Sequence, residues 1–153
     1  MSKPNTTFYD NGNIKTSYKL DKGNNFHCSN APAIKEFYEN GSPRNQQYYE
    51  HGFRHRLNGP ALIFYYPDQT KKAEYWYQNG KLHNPNNPAV SIYRPNGTLE
   101  AEFYYQNNKL HRLNGPASIY YYEDGSIKDE FYYIDNKYYT ELKYFVKIAI
   151  YKS

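Results

Sequence analysis

Four histidines recur at one fixed spacing, and histidine can bind a metal or transfer protons in catalysis. His27, His55, His83 and His111 are each 28 residues apart, and His51 precedes His55 in an HxxxH pattern. Two strands in each period would place equivalent histidines roughly 10 Å apart, whereas the ligands of one zinc ion lie within about 2.1 Å of it. The spacing therefore predicts no shared metal, and HxxxH is expected in a turn rather than on a helix.

A catalytic cysteine is not supported either. Cys28 is the only cysteine and directly follows His27. Adjacent residues in a strand point to opposite faces, and no third group that would orient a general base is evident. An enzyme needs unlike groups that converge in a pocket, whereas a repeated sequence presents like groups in rows. We therefore predict that the chain is not an enzyme and has no catalytic residue, metal or cofactor.

The same period produces rows of side chains that could bind a partner. One row contains carboxylates, a second contains aromatic rings, and a third combines histidine with arginine. They are Glu74, Glu102 and Glu130; Tyr48, Trp76, Tyr104 and Tyr132; and His55, Arg56, His111 and Arg112. A face that mixes carboxylates with rings can bind a partner without exposing a dry apolar patch. The alternatives are solvated charges that prevent edge pairing and a basic platform for single-stranded nucleic acid.

These rows belong to a repeat whose best-preserved segment, HRLNGPA, occurs at residues 55–61 and 111–117. Its glycine and proline predict a turn between units, and its alanine predicts a close approach of backbone at the start of the next strand. We predict a single repeat domain over residues 1–153. Its parts are five units at 6–33, 34–61, 62–89, 90–117 and 118–145, and a closing strand at 144–151.

Short aromatic segments bounded by Asn-Gly, Asp-Gly or Asp-Asn are typical of β-hairpins, because these pairs tolerate the positive φ of tight turns. The pattern predicts an all-β fold, an elongated antiparallel meander in a single sheet of 28-residue, two-stranded units. Alternation in the second strand of each unit fixes the register. It predicts one core-facing row of rings opposite the carboxylates, namely Tyr49, Tyr75, Tyr77, Phe103, Tyr105, Phe131 and Tyr133. In the tail, the alternation of Val146, Ile148 and Ile150 predicts the closing strand.

Composition narrows the class of protein further. The net charge is +4, aromatic residues make up 20% of the chain, and there are 21 tyrosines. Tyrosine can bury its ring while its hydroxyl reaches water, which suits a thin sheet. One cysteine excludes an internal disulfide, and no segment has the length of apolar sequence that spans a membrane. We therefore expect a cytoplasmic location.

The segment YYQNNKLHRLNGPASIYYYEDG, residues 104–125, resembles the MORN-like (membrane occupation and recognition nexus) repeat arrays of giant DNA viruses and bacteria, which include a family of antitoxins. The resemblance extends over residues 6–145. The usual MORN unit is shorter and richer in glycine, and it lacks the His-Arg and Gly-Pro-Ala elements. The resemblance implies an elongated β-meander that binds other molecules or serves as a scaffold.

These observations predict a non-enzymatic protein-binding or scaffolding module with a protein partner. One alternative is a dedicated neutralising partner, such as an antitoxin or a viral inhibitor of a host factor. Another is a binder of nucleic acid or anionic lipid through a basic rim. Homo-oligomerisation through the edge strands also stays open.

Overall fold

The computed structural model describes residues 4–152, so residues 1–3 and Ser153 of the predicted domain lie outside the described part. Within it, the chain forms strands joined by turns and ends in a helix. In chain order the elements are β1 (Asn5–Phe8), β2 (Ile14–Tyr18), β3 (Ile34–Phe37), β4 (Pro43–Gln47), β5 (Tyr49–Glu50), β6 (Phe53–Arg54), β7 (Leu62–Tyr65), β8 (Lys71–Tyr75), β9 (Tyr77–Gln78), β10 (Lys81–Leu82), β11 (Val90–Tyr93), β12 (Leu99–Phe103), β13 (Tyr105–Gln106), β14 (Lys109–Leu110), β15 (Ser118–Tyr121), β16 (Ile127–Ile134), β17 (Lys137–Tyr139) and α1 (Glu141–Lys152).

Eleven of these strands form one open antiparallel sheet in the order β1-β2-β3-β4-β7-β8-β11-β12-β15-β16-β17. Every neighbouring pair follows the chain order, so the sheet is a meander. The predicted fold class is therefore confirmed. The strands that begin units two to five, β3, β7, β11 and β15, start 28 residues apart.

The second, third and fourth units each add a short hairpin to the two long strands, which the sequence did not predict as a separate element. The hairpins are β5–β6, β9–β10 and β13–β14. In the third unit the backbone changes partner at Trp76, whose N–H donates to the Ala89 carbonyl of the sheet while its carbonyl accepts from the His83 N–H. The turn that follows contains Asn79 at φ 49° and Gly80 at φ 75°. Positive φ at both central residues is the signature of a type I′ hairpin, so the Asn-Gly prediction holds here.

The hairpins between the two long strands of each unit share a different turn. In the fourth unit, Asn96 accepts hydrogen bonds from the backbone N–H and the hydroxyl of Thr98, and Gly97 lies between them at φ 83°. The third unit has Gln69 at φ 72° in place of the glycine. A non-glycine residue without a short polar side chain is strained in this region.

Four of the most deeply buried positions are the alanines that end the first four units, each directly before the first strand of the next unit. Ala33, Ala61, Ala89 and Ala117 are between 0% and 1% exposed, as expected from the predicted close approach of backbone. Larger buried residues follow them on the first strands of the units, among them Leu62, Ile63 and Val90. The apolar core is therefore spread along the array instead of being gathered at one centre.

The glycine of the HRLNGPA linker needs an unusual backbone angle in one copy only. Gly115 has φ 142°, whereas Gly59 has no positive φ. At Gly59 a Cβ would lie 2.9 Å from Cζ of Arg56, so the guanidinium would have to shift. The equivalent residues Ala31 and Asn87 follow the shorter Cys28 and Asn84 instead of an arginine.

The prediction of a closing strand at 144–151 is wrong, because this segment belongs to helix α1. Tyr144 and Ile148 are 1% and 7% exposed and pack against Tyr132 and Ile134 of β16. Side chains four residues apart lie on one face of a helix, whereas a strand would have grouped residues two apart. Val146, which the strand would have placed beside Ile148, is 56% exposed.

Candidate functional site

The register of the sheet sorts the candidate side chains onto two faces. Tyr75 pairs with Leu62 and Val90, whereas Glu74 pairs with Ile63 and Ser91. Directly paired residues share a face. We call the first the aromatic face, which carries Phe64, Tyr75, Phe103, Tyr120 and Phe131. We call the second the carboxylate face, which carries Glu74, Glu102, Glu130, Ile63, Ser91 and Ile119.

The aromatic face carries a ladder of rings over a floor of small residues. Phe103 and Phe131 both meet Tyr120 edge to face, with ring centroids 5.7 and 6.2 Å apart. The floor includes Ala73 and Ala101, which are 5% and 2% exposed. Tyr120 and Phe131 each keep 37% of their surface exposed. This face was predicted to be the core side, but in a one-layer sheet its rings are only partly buried.

The carboxylates are held by hydrogen bonds within the sheet. Glu74 accepts from the Tyr93 hydroxyl at 2.9 Å, and its other oxygen lies 2.6 Å from the Lys71 ammonium. Glu102 accepts from the Tyr121 hydroxyl at 2.7 Å. Burial and the bond to Glu74 raise the pKa of Tyr93 to about 12, and burial and the bond to Glu102 raise the pKa of Tyr121. These tyrosines stay protonated and donate to the carboxylates at neutral pH.

Glu130 departs from this arrangement, because its partner lies on its own strand. It accepts from the Tyr132 hydroxyl at 2.7 Å. Burial and this bond raise the pKa of Tyr132. Tyr132 is itself 6% exposed and packs under Tyr144 of α1 with ring centroids 4.7 Å apart. A partner could contact Tyr132 only if α1 moved away.

Two of the other candidate rings are covered by guanidinium groups. Cζ of Arg56 lies 3.9 Å from the centroid of Tyr48, and Cζ of Arg112 lies 3.7 Å from the centroid of Tyr104. The geometry is that of a cation–π contact. Trp76 differs, because Asn84 stands where the second and fourth units have arginine, and no cation lies over its ring in the described part of the chain.

Each of these arginines also closes its own linker. Arg56 donates from Nη1 to the Pro60 carbonyl at 3.2 Å, and Arg112 donates to the Pro116 carbonyl at 3.0 Å. The shorter Asn84 makes the equivalent bond to the Pro88 carbonyl at 3.2 Å. The conserved spacing of this residue and the proline within the repeat therefore has a structural explanation.

The histidines connect one hairpin to the next. Nδ1 of His55 accepts from the Asn79 N–H at 3.1 Å, and Nδ1 of His111 accepts from the Asp135 N–H at 3.3 Å. In both pairs the histidine accepts from the backbone N–H of a turn residue that lies 24 positions later in the chain. His27 accepts from the His51 N–H in the same way, at 3.3 Å. Nδ1 of His55 and of His111 also lies 3.1 and 3.3 Å from the side-chain oxygen of the same turn residue. These contacts of the imidazoles align neighbouring units.

The described residues contain no group of three or more His, Cys, Asp or Glu side chains that could hold a metal ion. The nearest approach to such a cluster is in the first two units. The rings of His27 and His51 stack with centroids 4.5 Å apart, and Nδ1 of His51 lies 3.2 Å from Asp21. The backbone N–H of Asn25 and the His51 side chain lower the pKa of Asp21.

A cleft of about 350 Å³ lies between the first two linkers and is lined by Cys28, Tyr48, Glu50, His55 and Arg56, among others. It brings a thiol, an imidazole and a carboxylate to one place, which the sequence did not predict. Nδ1 of His55 is occupied by the Asn79 N–H, and Nε2 lies 3.6 Å from Glu50. The imidazole is therefore positioned by structural contacts instead of being directed at the thiol.

Comparison with known families matches two parts of the chain, residues 33–51 and 89–112, to a MORN repeat variant. The chain thus carries MORN-like repeats, which are generally modules for binding or scaffolding. No curated protein and no solved structure matches it. Within residues 4–152, no helix has the length and apolar character needed to cross a membrane.

Proposed function

We propose that the protein is a non-enzymatic protein-binding or scaffolding module and that its partner docks on the aromatic face. The observation that carries this proposal is the partly exposed ladder of Phe103, Tyr120 and Phe131 over a floor of alanines. Aromatic rings offer large, rigid contact area at a low cost in conformational entropy, and they dominate binding hot spots.

The shape of this surface favours a protein over a small ligand. Rings lie on this face in β7, β8, β12, β15 and β16. Neighbouring strands lie about 4.8 Å apart, so the surface is a long strip over the third to fifth units. A small ligand binds best where a concave pocket encloses most of its surface. A protein segment can instead contact several strands at once.

The arginines argue against a polyanion as the partner. Four of the five arginines use their guanidinium groups within the fold, namely Arg54, Arg56, Arg94 and Arg112. Binding of nucleic acid or anionic lipid relies on cations that are free to replace the counterions of phosphate. The lysines that remain are spread along the chain.

The row predicted from the sequence supplies a second docking surface to be compared with the first. Trp76 is half-buried beside Glu74 on the carboxylate face and carries no guanidinium cap in the described structure. His55, Arg56, His111 and Arg112 remain candidates, although each also makes an internal contact.

Affinity capture followed by mass spectrometry, with matched variants, tests this proposal. Tyr120→Ala should remove a captured protein from the bait, whereas Trp76→Ala and the control Phe53→Ala should retain it. Phe53 is 62% exposed but belongs to a short hairpin. The captured protein must then bind the purified chain, with at least tenfold weaker affinity for Tyr120→Ala.

The other outcomes separate the alternatives. One tightly bound protein at fixed stoichiometry would specify a dedicated neutralising partner, such as an antitoxin or a viral inhibitor of a host factor. Loss of binding with Trp76→Ala alone would place the docking surface on the carboxylate face. Recovery of RNA or anionic lipid that withstands about 0.15 M salt would overturn protein binding as the function.

A further inference from the structure

The two ends of the sheet leave strand edges of opposite kinds unpaired. Inside the chain, the second strand of each unit pairs with the first strand of the next, as in β2–β3, β4–β7, β8–β11 and β12–β15. At one end, β1 is a first strand with a partner on one side only. At the other end, residues 127–131 of β16 pair with β15 on one side and are all exposed. We call these the leading edge and the trailing edge.

The leading edge has the geometry of the strands that pair inside the chain. Asn5, Thr6 and Thr7 of β1 pair with β2 in the same register in which Ile34, Lys35 and Glu36 of β3 pair with β4. In both hairpins the register shifts at the next residue, which is a phenylalanine. The trailing edge is equally regular, because β15–β16 repeats the register of β11–β12 with the same shift. Each edge is therefore shaped like one half of an internal junction.

The tyrosine that bridges internal junctions recurs at the trailing edge, where residues 127–131 of β16 have no second neighbouring strand within residues 4–152. The hydroxyl of Tyr9 donates to the Phe37 carbonyl at 2.8 Å, and that of Tyr38 donates to the Tyr65 carbonyl at 2.8 Å. Tyr66 does the same to the Tyr93 carbonyl at 3.0 Å. Tyr122 occupies this position in the last unit, 28 residues after Arg94.

The hydroxyl of Tyr122 has no hydrogen-bond partner within residues 4–152, and the residue is 52% exposed. Arg94, which replaces the tyrosine in the fourth unit, donates to the Tyr121 carbonyl and so spans the junction as well. All four internal junctions are thus bridged from this position. The Tyr122 hydroxyl is a fifth donor at the same position of the repeat, and it faces solvent.

Helix α1 does not cover the trailing edge. The Tyr144 hydroxyl accepts from the Gly115 N–H at 3.0 Å and donates to the Arg112 carbonyl at 3.1 Å, which directs the helix back toward the fourth unit. Exposed apolar side chains occur at both edges. Phe8 and Ile14 are 60% and 41% exposed at the leading end, and Ile127 and Phe131 are 53% and 37% exposed at the trailing end.

The ends also differ in charge. Residues 4–33 contain three lysines and two aspartates, whereas residues 118–152, which include α1, contain six carboxylates and five lysines. The leading end is therefore weakly basic and the trailing end weakly acidic. Opposite charges at the two ends favour contact between unlike ends of two copies over contact between like ends.

We propose that a second copy of this chain binds head to tail, with the leading edge of one copy added to the trailing edge of another. The register of the internal junctions places Phe131, Glu130 and Asp129 opposite Asn5, Thr6 and Thr7 of the next copy. Tyr122 then donates to the Phe8 carbonyl of that copy. Because the two surfaces differ, the contact does not close on itself and extends the sheet into a filament.

The residues at these edges set the strength of the association. β1 is rich in asparagine and threonine, and β16 carries Lys128, Asp129 and Glu130. Polar and charged edge strands pair weakly, and the attraction between the ends is screened by salt. Filament growth therefore depends on protein concentration and decreases as salt rises.

Disulfide trapping tests the proposed register. Thr7→Cys and Asp129→Cys are introduced together in a Cys28→Ser background. The two edges of one copy are roughly 40 Å apart across the sheet, so this disulfide must join two copies. Directly opposed Cα atoms lie about 4.5–5.5 Å apart, which a disulfide can span. Oxidation should give a ladder of dimers, trimers and larger species.

The matched control moves the second cysteine two residues along the same exposed strand, as Thr7→Cys with Ile127→Cys. It should crosslink at least tenfold more slowly. Equal crosslinking of both pairs, or dimers alone from Thr7→Cys without a second cysteine, would overturn the head-to-tail register.

Sedimentation of the unmodified chain supplies an independent readout. The weight-average mass should rise above the monomer mass of 18.2 kDa as concentration rises. Tyr122→Phe should lower that mass at equal concentration without changing the melting temperature. A monomer at every concentration and at low salt would overturn the proposal.

Discussion

Replacement of Arg112 by Met distinguishes a structural arginine from a docking arginine. Methionine keeps much of the aliphatic stem but removes both guanidinium contacts, the one with Tyr104 at 3.7 Å and the one with the Pro116 carbonyl at 3.0 Å. A partly desolvated cation–π contact contributes about 0.5–2 kcal/mol, and a hydrogen bond from a charged group contributes about 1.5–3 kcal/mol. Since Arg112 is half-buried, we expect a loss of about 2–3 kcal/mol in the free energy of unfolding.

For a chain of this length, that loss lowers the melting temperature by about 4–10 °C. Thermal unfolding followed by circular dichroism measures the shift, and a double-mutant cycle with Tyr104→Leu isolates the contact between the two side chains. Lys109→Met removes the same charge from an exposed position in the same unit and should change stability by less than about 0.5 kcal/mol. If Arg112→Met melts like the unmodified chain and loses partner binding, the linker arginines form a docking strip and the structural interpretation fails.

Three further changes test the turns, the helix and the buried hydroxyls. Gln69→Gly should raise the unfolding free energy by about 0.5–1 kcal/mol, because it relieves φ 72° in a turn where the other units have glycine; a lower melting temperature would contradict this. Tyr144→Phe should cost about 1–2 kcal/mol, since its hydroxyl bonds to both Gly115 and Arg112, while Leu142→Ser, at a side chain 76% exposed, should cost almost nothing. The folded pKa of Tyr93 is raised above the unfolded value of 10 to about 12, so its contribution to stability is complete below pH 10 and is lost as pH rises toward 12. Tyr93→Phe should flatten that decline in denaturant midpoint, and tyrosinate absorbance should show one fewer late-titrating group.

The meander could be predicted from the sequence because its signals are local and repeated. An Asn-Gly pair such as Asn79-Gly80 requires positive φ whatever surrounds it, and both residues have it. The period then fixes how often the turn recurs. The short hairpins were less visible, because the change of partner at Trp76 depends on a hydrogen bond with His83 that no local pattern specifies.

The closing helix could not be predicted from alternation alone. The segment that contains Val146, Ile148 and Ile150 satisfies a period of two, and Tyr144 with Ile148 also satisfies a period of four. Packing favours the helix over the strand, because Tyr144 and Ile148 on one helix face pack against Tyr132 and Ile134 at the end of β16. The roles of the histidines were hidden for the same reason, because the backbone N–H groups that donate to them lie 24 residues away.

A strictly periodic surface has a consequence for binding, because a partner could occupy it in several positions, each displaced by one unit. A single position requires a place where the repeat changes. The third unit supplies such a place, since Trp76 replaces tyrosine and Asn84 replaces the arginine that would cover it. Its His83 also differs from the other linker histidines, because Nδ1 is buried with no hydrogen-bond partner among the described residues. If the partner docks on the carboxylate face and recognises one register through these differences, it contacts the third unit. Asn84→Arg, which restores the residue of the second and fourth units, should then lower its selectivity for that register more than its affinity for that face as a whole.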